Sequence, residues 1–206
     1  MKRLALLGAS GHGKVVAEVA LTEGWDEVVF FDDAWPVLSQ NGPWPVVGNS
    51  LALVARLHEF QGVIVSIGDC VVRWSKHLEL REVGAPMVTV IHPGATISRY
   101  ASFGGGSVVM AGAVVNIDSH IGEAVIVNSG ATVDHDCDLA DGVHICPGAH
   151  LSGNVKVGHC TMVGVGVAIK QGVVIGDQAI IGAGAVLVRN VDDCVVVAGN
   201  PARNLR

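Results

Sequence analysis

The sequence predicts a chain in two parts, a small α/β domain followed by an all-β parallel coil. Three observations predict it. From residue 97 to about residue 191, an apolar residue returns at every sixth position. A glycine-rich turn lies between an apolar run and a helical pattern near the start. Strand and helix patterns alternate only before residue 93.

The repeat is the dominant signal. Sixteen successive positions at this spacing, Ile97 through Leu187, are apolar, and only Phe103 among them is not aliphatic. Four places after each stands a small or β-branched residue, as in Ala113, Ser119, Ala131, Cys137 and Thr161. A helix repeats at about 3.6 and a strand at about 2, so neither explains a period of six. A hexapeptide β-helix does, because short strands wind around a narrow core and each coil is a triangle of three hexads. The aliphatic residue fills a face and the small residue fits near a corner. Neighbouring coils then pair as parallel strands about 4.8 Å apart.

The first part reads in order. Residues 3–7 form a buried strand, and Gly8-Ala9-Ser10-Gly11-His12-Gly13 turns the chain into a helix over 15–21, ended by Gly24. A second strand covers 28–31 and closes on Asp32-Asp33. This is a Rossmann-like βαβ unit, with backbone N–H groups at a helix start that favour an anion. The turn is GxxGxG and not the dinucleotide GxGxxG. The acidic pair about twenty residues beyond it suits a ribose or base contact. It equally suits a tight turn beside an exposed strand end. Residues 35–48 read as irregular, 50–58 as a helix, 63–67 as a strand ending in Gly68-Asp69, 72–82 as a helix and 88–91 as a fourth strand. His92-Pro93 leads into the coil, and residues 198–203 leave the repeat as a tail. The expected division is therefore 1–92 and 93–206.

Composition narrows the function. The chain has 206 residues, 27 of them Gly, and a net charge of −6, with no basic face to meet nucleic acid. The apolar start ends at Gly8, too early for a signal peptide. No run of about eighteen apolar residues is present, so no membrane span is expected. Five cysteines without a CxxC pair suggest free thiols and a cytoplasmic location.

Histidines gather in the middle coils at His120, His135, His144, His150 and His159. All fall at outward places of the hexad, where solvated side chains are expected. His135 stands apart because Asp134, Asp136 and Asp138 surround it. A carboxylate beside an imidazole favours its charged form and can orient it as a base. Gly153, eighteen residues on, leaves bare backbone one coil away, where a ligand could approach. His144 is half a coil from His135, so the two can meet only across a subunit contact.

Taken together, Ser10-Gly11-His12-Gly13, Phe31-Asp32-Asp33, Ile91-His92-Pro93, Asp134-His135-Asp136-Cys137, Gly142-Val143-His144, Ser152-Gly153-Asn154-Val155 and Gly199-Asn200-Pro201-Ala202-Arg203 resemble the bacterial sugar-nucleotide N-acetyltransferases. These include the bacillosamine and perosamine enzymes (UDP-4-amino-sugar and GDP-perosamine type) and their sialic acid O-acetyltransferase-like relatives. The resemblance covers nearly the whole chain and implies a left-handed β-helix and a homotrimer. It implies a nucleotide-sugar-binding domain over 1–92, and an acetyl-CoA-binding catalytic domain with a C-terminal tail over 93–206. It makes His135 the general base and Asp136 its partner. It sets His144 and Gly153 near the thioester of acetyl-CoA, and Val165 and Ala183 along the pantetheine path. It gives the nucleotide sugar to Ser10, Gly11, His12, Asp32, Asp33 and Gly68, with Asn128 near the acceptor.

The implied activity is acetyl transfer from acetyl-CoA to the amine of a nucleotide-linked 4-amino-4,6-dideoxy sugar. The nearest alternative is O-acetylation of a sugar hydroxyl, as with sialic acid. A trimeric zinc lyase would need three converging His ligands, and none is proposed, so no metal site is expected. A non-catalytic scaffold is the remaining class.

Overall fold

The computed structural model describes residues 1–205. β1 (Arg3–Leu7), β2 (Glu27–Phe31) and a later strand, Gly62–Val65, form a parallel sheet with β1 in the centre. α1 (Gly11–Glu23) follows the glycine turn directly, so the helix starts earlier than its apolar pattern suggests. Gly13 permits this, because a Cβ there would lie 2.6 Å from the Gly8 carbonyl oxygen and 2.9 Å from the Phe30 ring. Between the strands lie the hairpin of β3 (Gln40–Asn41) and β4 (Trp44–Pro45), and then α2 (Ser50–Ala55). The Asn49 side chain accepts from Ala52 N–H at 3.0 Å and caps α2. The helix expected to reach residue 58 stops at Ala55, and a single 3₁₀ turn, Leu57–Glu59, replaces its end. The strand Gly62–Val65 is β5, and α3 (Cys70–Glu82) follows, capped by Asp69 accepting from Val72 N–H at 2.9 Å.

The fourth strand belongs to the coil. Val90–Ile91 pairs in parallel with Val108–Val109, not with the first sheet. From there, each two-residue strand pairs with the one eighteen residues on, as Val115 with Val133 and Ile121 with Leu139. Three parallel sheets result, the faces of a left-handed β-helix. The aliphatic and the small residues of the hexad share one continuous core that runs from Val109 to Val197. Burying each such aliphatic side chain contributes about 1.5–3 kcal/mol.

The corners carry a second periodicity. From Gly106 to Gly184, every sixth residue has positive φ, and six of them are not glycine: Asp118, Ala124, Asp136, Asn154, Cys160 and Gln178. Each non-glycine there costs about 1–2 kcal/mol, least for Asp and Asn, whose short polar side chains bond locally. The register changes at the end. Ile175 pairs with Val191 and Ile180 with Val196, sixteen residues apart. The tail does not leave the sheet. Val196–Ala198 extends it and Arg203–Asn204 folds back antiparallel on that strand.

The coil packs against the α/β domain. Val108 and Met110 join the core between α1 and the first sheet. Val108 and Ile126 each stand just before an inward aliphatic residue of the hexad, on the outer side of the coil. They are 2% and 1% exposed, covered by the chain's own first domain. Val174, at 43%, does remain exposed.

Candidate active site

His135 lies at a coil corner just after the strand Thr132–Val133. Its neighbour Asp136 takes one of the left-handed corner conformations, φ +59°. That geometry turns the carboxylate back, and His135 Nδ1 lies 2.6 Å from Asp136 Oδ2. Both side chains are more than half exposed. Asp134 supports the pair from behind, accepting from His135 N–H at 2.9 Å and from Asn116 Nδ2 at 2.8 Å. The Asp136 hydrogen bond, helped by the charges of Asp134 and Asp136, raises the His135 pKa above its ordinary value. With Nδ1–H donated to the carboxylate, Nε2 presents a lone pair.

Gly153 is required by this arrangement. A Cβ there would stand 2.5 Å from His135 Cε1 and 2.6 Å from Nε2. The bare backbone is thus covered by the imidazole itself, and is not left open for a ligand as the sequence suggested. Asn154 N–H donates to the His135 carbonyl at 2.8 Å and fixes the same corner.

A second group forms where the first domain meets the coil. His144 points outward from the coil as expected, yet it is only 9% exposed, because α1, α3 and the loop after β5 cover it. Its Nδ1 lies 3.3 Å from the Gly68 carbonyl and its Nε2 lies 3.1 Å from Asn128 Nδ2. The His12 ring stands 6.2 Å away, with its Nε2 buried and unpartnered among the described residues. Burial first, and the Arg73 charge second, push His144 down to about 3 and His12 down to about 4. Both are neutral at ordinary pH. His159 is also not a free solvated side chain, since it packs edge-on to Trp74 at 5.1 Å.

The glycine turn and acidic pair are partly self-satisfied. Asp32 accepts from Ala9 N–H at 2.7 Å and from Ala34 N–H at 2.9 Å, so its carboxylate closes the turn. Asp33 accepts from Ser50 N–H at 2.9 Å and keeps a more exposed face near Lys76. Ser50 holds the Asp33 carboxyl below its usual range. Ser10 precedes α1 without using its hydroxyl as a cap. Gly11 and Gly68 both look onto open space. The Ser10, Gly11 and Gly68 positions lie at the C-terminal ends of β1 and β5, where α/β domains bind ligands. Val165 and Ala183 form an exposed column on a different corner from His135, joined by the bond from Gly184 N–H to the Val165 carbonyl at 2.8 Å.

The structure therefore gathers the candidate residues into two groups, His135–Asp136–Gly153 and His12–His144–Asn128–Gly68. Asn128 joins the second group through His144. Arg73 escaped the sequence reading, although the buried face of α3 (Cys70, Arg73, His77 and Leu80) shows it at helical spacing. Among the described residues, no three His, Cys, Asp or Glu side chains converge as a metal set.

Residues 3–80 match the family described as PglD N-terminal domain. The acetyltransferase domain of PglB from Neisseria gonorrhoeae, solved with acetyl coenzyme A, is 43% identical over 99% of both chains, with a TM-score of 0.95. A single-residue variant of perosamine N-acetyltransferase from Caulobacter crescentus, solved with CoA and GDP-perosamine, is 37% identical over 100% of this chain and 98% of that one, again with a TM-score of 0.95. WeeI from Acinetobacter baumannii is 29% identical over the full length of both, with a TM-score of 0.87. A search of curated proteins found no match.

Proposed function

The chain belongs to the sugar N-acetyltransferase family that includes the PglB acetyltransferase domain and perosamine N-acetyltransferase, and from that premise we propose that it moves the acetyl group of acetyl-CoA onto the amine of a nucleotide-linked 4-amino sugar. The observation that carries the chemistry is the His135–Asp136 pair, exposed on a coil corner with its Nε2 lone pair available. An ammonium is a poor nucleophile until it loses a proton. His135 takes that proton as the amine attacks the thioester carbonyl, and a backbone N–H supports the oxyanion. The tetrahedral intermediate then expels CoA thiolate, with no covalent enzyme intermediate.

In this reading, residues 1–92 hold the nucleotide sugar through Ser10, Gly11, His12, Asp33 and Gly68. Asp32 acts there through the turn it closes. Residues 93–206 hold the donor, with Gly153 beneath the base and with Val165 and Ala183 along the pantetheine arm. His144, near the thioester in this reading, and Asn128, near the acceptor, lie where the coil meets the first domain. The two groups of candidate residues sit on separate parts of one chain, so a cyclic homotrimer that apposes neighbouring coils would complete the site. A cytoplasmic location fits five cysteines that form no disulfide.

The test is thiol release from acetyl-CoA against a panel of UDP-, GDP- and dTDP-linked 4-amino sugars, with free sialic acid as the hydroxyl acceptor. Release with one or more amino sugars and none with sialic acid is expected. Turnover of sialic acid alone would make the enzyme an O-acetyltransferase and overturn the assignment to an amine.

A further inference from the structure

Arg73 lies in α3 and is 1% exposed. A buried guanidinium is costly unless every donor is met. Here its five N–H groups go to five backbone carbonyls and to no carboxylate. Nε donates to Ala124 at 2.8 Å, Nη1 to Ile67 and Gly68 at 2.9 Å each, and Nη2 to Gly142 at 2.7 Å and Val143 at 3.3 Å. Two of these carbonyls belong to the loop after β5 and three to the coil, so one side chain sews the domains together beside His144.

The Gly68 carbonyl is shared. It also lies 3.3 Å from His144 Nδ1. A carbonyl only accepts, so Nδ1 is the nitrogen that carries the proton. On the far side of the ring, Nε2 faces Asn128 Nδ2 at 3.1 Å. The amide is oriented independently, because Asn128 Oδ1 accepts from Ser129 N–H at 2.8 Å. A donor therefore faces Nε2, which must offer its lone pair. Both sides of the ring require the same neutral tautomer.

The other groups around this ring do not compete. His12 approaches from α1, while Cys70 and the capping Asp69 come from α3. Cys146 and Cys160 lie on the coil side, and burial keeps these thiols protonated. Asp69 is already used by Val72 N–H. The nearest positive charge is Arg73 itself, which opposes a second proton on His144 or on His12.

We propose that Arg73 is a positioning residue: it holds the Gly68 carbonyl between its guanidinium and the His144 ring, and so locks His144 in the neutral tautomer protonated on Nδ1. The loop carrying Gly68 belongs to the first domain and His144 to the coil, so the lock also fixes the one against the other. Its effect on turnover rests on the acetyl-transfer reading. Its effect on the imidazole does not.

The experiment is long-range ¹H–¹⁵N NMR of the protein labelled in histidine, with the His144 signals identified by their loss in His144→Ala. The wild-type spectrum should show one His144 tautomer, protonated on Nδ1 and unchanged from about pH 8 to about pH 5, across the range where an ordinary imidazole titrates. In Arg73→Met and Arg73→Lys, His144 should show mixed tautomers. In Arg73→Met, loss of the nearby charge should also raise the His144 pKa, while burial still holds it below the ordinary imidazole value. In the same variants kcat should fall about tenfold. A wild-type ring protonated on Nε2 would overturn the proposal whether or not the variants fold. So would a folded Arg73→Met protein with an unchanged tautomer. An enzyme with no acetyl transfer, but with the expected spectra, would reject the functional reading and leave the lock standing.

Discussion

His135 depends on three neighbours that act in different ways. Asp136 supplies charge, Gly153 supplies room, and Asp134 fixes the backbone between them. Replacing His135 with Ala should lower kcat by about 10²–10⁴-fold while the acetyl-CoA KM changes little. The pH–rate profile gives the sign. The imidazole works as a base only when neutral, and its pKa is raised by Asp136. The acid limb should therefore lie above the ordinary imidazole value, and Asp136→Asn should move it down. A limb that stays in place in Asp136→Asn would separate it from this pair. Gly153→Ala is a sharper probe. Gly153 has no positive φ, and the three nearest atoms that a Cβ would meet are all ring atoms of His135. The variant should keep its melting temperature while kcat falls by up to about 10²-fold, the scale of a catalytic group displaced by about 1 Å. Loss of stability without loss of rate would contradict it. That Gly153 lies one coil from His135 was legible in the sequence, because the eighteen-residue period fixes which residues lie above one another, but that the ring covers the glycine was not. The burial of His144 was not legible. The period says which way a side chain points, and it does not say what another domain lays over it.

At the scale of the element, the hexad holds the coil together through more than apolar packing. Ser107, Ser119 and Thr161 occupy the small inward place and are almost fully buried. Each hydroxyl donates to a carbonyl of the next coil, at 2.8 Å for Gly122, 2.7 Å for Asp134 and 2.7 Å for Gly176. The same oxygens accept N–H groups, Ala179 to Thr161 at 3.0 Å among them. Thr161→Val keeps the shape and removes both bonds, leaving a carbonyl and an N–H buried and unpaired. It should cost about 1–3 kcal/mol, measured by denaturant unfolding. An unchanged midpoint would mean that water or a local shift replaces the hydroxyl. Position and size of these residues were readable from the repeat, but their hydrogen bonds were not, because Ala and Val fill the same place elsewhere. The short helices were misjudged for a related reason. Apolar spacing locates the middle of α1, whereas its start at Gly11 is set by the turn before it. Val90–Ile91 read as a strand correctly, and only the partner that it chose was hidden.

For the whole molecule, the apolar surface left exposed bears on assembly. Val108 and Ile126 are covered within the chain, so they lend no support to assembly. Val165, Val174, Ile180 and Ile117 still show 54%, 43%, 45% and 44% of their surface. They stand on different faces and corners of the coil and are exposed singly. The expected state is a closed trimer, and light scattering should give three times the mass of 21.2 kDa at micromolar concentration. A monomer at that concentration would leave His135 without the opposing coil that the proposed site needs. The end of the coil carries a different consequence. Arg203–Asn204 covers Val196–Ala198, and Leu205 N–H donates to the Val196 carbonyl at 2.7 Å. Ala202 N–H likewise meets the Val186 carbonyl at 2.9 Å. A stack of parallel strands without such a cover is a template, since its last rung offers the same unpaired groups that every earlier rung has already satisfied. A chain cut after Gly199 should therefore add molecules end to end and grow into filaments, and the short returning hairpin is what makes this coil finite.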